Sequence, residues 1–111
     1  MNFKKKRGFI SIYKVVYHKS FLKELKSIIQ GGDKKIKNRV EEIIEELRKD
    51  PHNRRPRVDI KLISSKKEGV YRVRIGRYRM VYQVDEENMI IYITMVFHDT
   101  VNFFISSIYY R

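Results

Sequence analysis

The chain has 111 residues, 42% hydrophobic and 13% aromatic, which supports one folded core and excludes a disordered polyelectrolyte in spite of 34% charged residues. With no Cys there is no disulfide and no thiolate-held zinc or iron–sulfur site, and no apolar run reaches the roughly 18 residues that a membrane helix needs. Lys and Arg number 25 against 13 Asp and Glu, a net +12 that suits a polyanion binder; a Lys-, Glu- and Ile-rich coding bias would add both signs together.

The block Lys4, Lys5, Lys6 and Arg7 is not followed by the apolar stretch of a signal peptide, so residues 1–11 read as a basic N-terminal arm. Ile12 to Tyr17 is β-branched and aromatic and predicts a first strand. Ser20 stands where an N-cap belongs, ahead of Phe21, Leu22, Leu25, Ile28 and Ile29 on one helical face, and Gly31-Gly32 supplies the stop. Asp33 is placed to cap a second helix. There Ile36, Val40, Ile43, Ile44 and Leu47 recur at helical spacing, with Lys37, Glu41, Glu45 and Lys49 on the other face, until Asp50-Pro51 ends it. The short connection predicts an antiparallel helical pair.

After an arginine-rich loop around Pro56 the period changes to two. Val58 to Ile63 predicts a short strand. Val70 to Ile75 alternates, placing Tyr71, Val73 and Ile75 on one face and Arg72 and Arg74 on the other. Gly76-Arg77 fits a hairpin loop, and Tyr78 to Val84 returns with Tyr78, Met80, Tyr82 and Val84 opposed to Arg79, Val81 and Gln83. A turn at Asp85 to Asn88 precedes Met89 to His98, apolar enough for a central strand covered on both sides. The order β-α-α-β-β-β-β predicts an α+β fold, a two-helix hairpin on one face of a mainly antiparallel four- to five-stranded sheet, as a single domain over 1–111 with a C-terminal tail at 99–111.

Residues His52 to Arg79 hold ten basic and two acidic residues and so carry +8 of the +12. A two-residue loop at Gly76-Arg77 would set Arg74 across from Arg79 and Arg72 across from Val81. Like charges facing each other destabilise a hairpin unless an anion sits between them, and a guanidinium fork suits a phosphate. The alternative is a solvated sheet face whose long stems cover apolar surface. Arg54, Arg55, Arg57, Lys61, Lys66, Lys67 and Arg77 extend the basic surface as candidate RNA contacts. His98 shares the parity of Tyr92, Thr94 and Val96, opposite to Ile91, Ile93, Met95 and Phe97; if the second set faces the helices, His98 faces with the arginines and can carry a proton in phosphodiester cleavage, the alternative being a satisfied surface histidine at a strand end. The scattered carboxylates do not suit two-metal hydrolysis, so no metal or cofactor is expected.

These elements, and the run Tyr71-Arg72-x-Arg74-x-Gly76-x-Tyr78-Arg79-x-x-Tyr82 after the helical pair, resemble the RelE/ParE superfamily of type II toxins, closest to the RelE branch, over about Tyr13 to His98. The resemblance implies a cytoplasmic, metal-independent mRNA endoribonuclease that acts on the ribosome. It also implies an acidic, RelB-like antitoxin that wraps the toxin as a heterodimer or heterotetramer. Matched by position, Arg72, Arg74 and Arg79 correspond to phosphate-facing residues, and His98 to the basic residue after the last strand. The family commonly continues Gly-His-Arg and later Val-Tyr. This chain reads Phe97-His98-Asp99 and has Ile105 at the tyrosine position, so the catalytic set is incomplete unless Tyr109 or Tyr110 substitutes. A ParE-like gyrase inhibitor without ribonuclease chemistry, or a basic RNA-binding module that has lost toxicity, are the other readings.

Overall fold

The structure, a computed structural model, describes residues 12–64 and 69–101; Lys66, Lys67, the arm at 1–11 and most of the tail, with Ile105, Tyr109 and Tyr110, lie outside the described residues. Strand β1 (Lys14–Tyr17) leads into helices α1 (Lys19–Gln30) and α2 (Ile36–Lys49), followed by strands β2 (Ile60–Ser64), β3 (Gly69–Ile75), β4 (Tyr78–Asp85) and β5 (Ile90–His98) and a short 3-10 turn at Asp99–Val101. The sheet runs β1-β5-β4-β3-β2, antiparallel except that β1 pairs parallel to β5. Both helices cover one face. Phe21 of α1 and Ile36, Val40, Ile44 and Leu47 of α2 are buried against Val73, Ile75, Met80, Tyr82, Ile91, Ile93 and Val96, each fully buried side chain of this size contributing about 1.5–3 kcal/mol. The predicted α+β architecture is the observed one.

Both predicted helix caps differ. Helix α1 starts one residue before Ser20, at an N-cap His18 that makes no side-chain cap, and the N-cap of α2 is Lys35 rather than Asp33. Each polar side chain instead has a tertiary partner: Ser20 Oγ donates to the Thr94 carbonyl at 2.9 Å, and Asp33 accepts from the Tyr78 hydroxyl. Strand β2 also begins later than expected, because Arg55 and Val58 form an isolated bridge around the Pro56-Arg57 turn, with Arg57 at φ 71.

The largest departure is in β5. Tyr78, Arg79, Met80 and Val81 pair with His98, Phe97, Val96 and Met95, but Tyr82 pairs with Ile93, so Thr94 is one residue more than the partner strand can match. A one-residue insertion reverses the alternation beyond it. Ile91 and Ile93 face the helices before the bulge, and Val96 does so after it. The Thr94 hydroxyl donates to the Val81 carbonyl at 3.1 Å, and Glu24 of α1 accepts the Val96 N–H at 2.9 Å. Ser20 and Glu24, one helical turn apart, therefore hold the bulge from above.

Burial raises the Glu24 carboxyl above its ordinary value and outweighs the Val96 N–H, which favours the charged form. A carboxyl raised in the folded state binds its proton more tightly there than when unfolded, so stability falls as pH rises from the ordinary carboxylate range through the raised value. We expect Glu24→Gln, which still offers an acceptor to Val96, to lose this acid-side gain. Chemical denaturation at a series of pH values measures it, and an unchanged slope would show that Glu24 is not the group responsible.

Candidate nucleic-acid interface

The register of β3 and β4 places Arg74 across from Arg79 and Arg72 across from Val81, with Lys61 of β2 beside Arg72. Arg72, Arg74, Arg79 and Lys61 thus share the sheet face opposite the helices. Phe97 pairs with Arg79 and Met95 with Val81, so β5 adds apolar side chains to the same face. Gly76 at φ 63 makes the tight connection between the two arginine-bearing strands.

The cross-strand pair of like charges has an internal counter-ion. Arg79 Nε donates to Asp99 Oδ1 at 2.9 Å, and Arg74 Nη2 lies 3.5 Å from Asp99 Oδ2. The Arg79 side chain is only 15% exposed and that of Asp99 28%, so this bridge is less screened than one on open surface. A carboxylate with one oxygen to each guanidinium stands where a phosphate would bring two of its oxygens. Asp99 is held there by its own backbone, its N–H donating to the Arg77 carbonyl at 3.0 Å.

Arg72 differs from its neighbours. Its Nε is buried and has no hydrogen-bond partner among the described residues. Burial, then the charges of Arg79 and Arg74, push its guanidinium below its ordinary value against the pull of Asp59 and Asp99. It stays charged at neutral pH, because arginine begins so high. A buried donor without an acceptor beside two cations is a poor arrangement for stability and a good one for an incoming anion.

His98 is not on this face. The bulge at Thr94 reverses the parity on which the sequence argument placed it with the arginines, and the register sets it across from Tyr78 on the helix side. Its ring meets Tyr78 edge to face at 5.6 Å, and Nδ1 accepts the Thr100 N–H at 3.3 Å. Phe97 takes the place among the arginines that His98 was expected to hold.

The other basic candidates divide by location. Arg55 is a staple at the end of α2: its guanidinium donates to the carbonyls of Glu46, Asp50 and Asn53 at 2.8, 3.1 and 2.7 Å, respectively, which leaves little donor capacity for RNA. Arg54 is exposed and pairs with Asp59 at 3.4 Å. Arg57 lines a groove of about 900 Å³ with Arg39, Glu42, Glu46 and Arg74, while Arg77 stands at the hairpin tip. Sequence reasoning missed two participants. Asp99 stood out only as a departure from a pattern, since nothing local marks it as the partner of Arg74 and Arg79. Arg39 has no local signal either, because its side chain ends close to Gly76, far along the chain.

Comparison with known proteins adds independent information. Residues 15–103 match a family model described as ParE toxin of type II toxin–antitoxin system, parDE. A Methanocaldococcus jannaschii protein that carries the toxin name RelE1 is 38% identical over 84 residues, 76% of this chain and 87% of that protein. Among solved structures, the archaeal RelE–RelB complex from Pyrococcus horikoshii OT3 has a chain with a TM-score of 0.66 at 26% identity, covering 79% of this chain and 96% of that one. A RelB–RelE antitoxin–toxin complex from Methanococcus jannaschii has one at 0.58 and 29% identity, covering 85% and 94%.

Two substitutions on the arginine face should move stability and anion binding in opposite directions. Arg72→Met removes the orphaned donor and the repulsion, so thermal unfolding should show a gain on the order of 1 kcal/mol while affinity for inorganic phosphate falls. Asp99→Asn removes the counter-ion, and should lower stability by about 0.5–1 kcal/mol while raising phosphate affinity. Phosphate titration by calorimetry beside thermal melts tests both; a stabilised protein in each case, or lost stability in each, would contradict the assigned geometry.

Proposed function

The chain belongs to the RelE/ParE superfamily of toxins of type II toxin–antitoxin systems, and from that premise we propose that it is a ribosome-dependent mRNA endoribonuclease that works without metal or cofactor. The observation that carries this reading is the arginine face: three guanidinium groups on one sheet face, one with a buried orphan donor and two bridged by a carboxylate. An anion site built of Arg rather than Lys suits a phosphodiester whose oxygens gain charge during cleavage.

In the proposed reaction the ribose 2′-oxygen attacks the adjacent phosphorus. The P–O5′ bond breaks, leaving a cyclic phosphate on one fragment and a 5′-hydroxyl on the other. The 2′-hydroxyl loses its proton to solvent and the departing 5′-oxygen gains one. Arg72, Arg74 and Arg79 hold the phosphate and offset the charge on its free oxygens, with Lys61 beside them. Asp99 has to leave the pair as the phosphate arrives, so a loaded site exchanges an internal anion for an external one. The direct proton role read for His98 has no support in this geometry.

The partner in this reading is an acidic antitoxin, since the related chains from Pyrococcus horikoshii OT3 and Methanococcus jannaschii are described in complexes with RelB. The site of action is the cytoplasm, on the ribosome. One second reading has specific support: the matching family model is named for ParE, and Asp99 is an acid beside the phosphate-holding pair. It makes the chain a gyrase inhibitor that binds without cleaving.

Primer extension on translated mRNA after induction separates the two. New ends inside codons are expected, and replication arrest without them would favour the gyrase reading. Arg79→Ala should abolish the new ends. His98→Gln should leave turnover close to that of the wild type, whereas loss of a direct proton carrier typically costs about 10²–10⁴-fold. A loss in that range for His98→Gln would restore the histidine to the site.

A further inference from the structure

A second cluster of cations lies beyond the arginine face, at the tip of the β3–β4 hairpin. A shallow groove of about 840 Å³ there is lined by Lys34, Lys35, Arg39, Arg74 and Arg77 together with two acids, Asp33 and Asp99. Each acid has a partner: Asp33 accepts from the Tyr78 hydroxyl, and Asp99 pairs with Arg79 and with Arg74 of the groove itself. Lys34, Lys35, Arg39 and Arg77 form no ion pair among the described residues. Lys34, Lys35, Arg39, Arg74 and Arg77 outnumber the two acids around one groove, and this excess of positive charge attracts an anion from outside.

The groove is also built for close approach. A Cβ at Gly76 would stand 2.8 Å from Arg39 Nη1, so the guanidinium of α2 lies against the hairpin backbone where any larger residue would displace it. Gly76 is at φ 63, and Gly32, which also lines the groove, is at φ 118 with open space where a Cβ would stand. Arg74 lines this groove and also contributes to the arginine face through Asp99. The two basic regions are therefore continuous, with Arg74 at their junction.

We propose that the hairpin-tip groove is a second phosphate subsite. It holds a backbone phosphate of the same RNA strand whose reacting phosphate lies on the arginine face, so that the strand bends around the Gly76 turn toward the connection between α1 and α2. Arg39 is its principal ligand and Lys34 and Lys35 add charge. The inference rests on the RNA reading above and adds to it a path for the strand.

The test is binding of the purified full chain to two single-stranded RNA probes, a dinucleotide and an octanucleotide, over a range of salt concentrations. Arg39→Ala should bind the octanucleotide about tenfold more weakly and lower the slope of log affinity against log salt by about 0.7, the value for one phosphate contact on a single strand. Its binding of the dinucleotide should match the wild type. The double variant Lys34→Ala with Lys35→Ala, altered at exposed positions, should show the same pattern and keeps the test valid if Arg39→Ala unfolds. If both tip variants bind the octanucleotide as the wild type does while Arg72→Ala weakens both probes, the subsite is refuted and the RNA reading stands. Failure of the wild type to bind the octanucleotide overturns the subsite, while the RNA reading stands or falls separately on the new ends in translated mRNA. Tip variants that lose a co-purifying acidic protein while keeping full RNA affinity would overturn the subsite and assign the groove to a protein partner.

Discussion

One extra residue in β5 decides what the rest of the molecule can present. Thr94 interrupts the ladder between β4 and β5, and the groups it displaces are taken up by Ser20, Glu24 and its own hydroxyl. Each such hydrogen bond contributes only about 1 kcal/mol net, but leaving the groups unpaired would cost more than that. The bulge brings Val96 into the core, turns Phe97 to the open face, presses His98 against Tyr78, and delivers Asp99 to Arg74 and Arg79. Two side chains of α1, on the far side of the sheet, thereby set the chemistry of a face they never touch.

The arginine face follows the same logic at the level of charge. Arg74 and Arg79 are directly opposed, an arrangement that a folded protein tolerates only with a counter-ion. Asp99 supplies it from within, while Arg72 is left with an orphaned Nε. A site assembled for an external anion is seldom the most stable arrangement of its own residues. Here the conflict is softened at two arginines and kept at the third.

Much of this was legible in the residues. The spacing of Ile36, Val40, Ile44 and Leu47 gave α2 its buried face, and the alternation from Val70 to Val84 gave the hairpin register, including Arg74 across from Arg79, because both patterns arise from local geometry. Met89 to His98 carried no such information: in a nearly continuous apolar run, a skipped residue leaves no break in the pattern, so the parity beyond Thr94 could not be read. Ser20 and Asp33 have the chemistry of caps, and what drew them away was a tertiary acceptor and a tertiary donor, Thr94 and Tyr78. The contact of Arg39 with Gly76 joins elements 37 positions apart, and no local rule anticipates it.

The parallel pairing of β1 with β5 joins the first described strand to the last, Lys14 aligning with Ile90 and Tyr17 with Ile93. Every other strand pair joins sequence neighbours. A chain made from its N-terminus must therefore carry β1 unpaired while α1, α2 and the β2–β4 meander are synthesised, and closing a loop of this length is entropically slow. The edge of β5, the bulge and Asp99 all emerge after the arginines they control. The arginine face thus passes through a stage of synthesis in which its cations exist without their internal anion, and the final segment of the chain converts an open polycation into a finished domain.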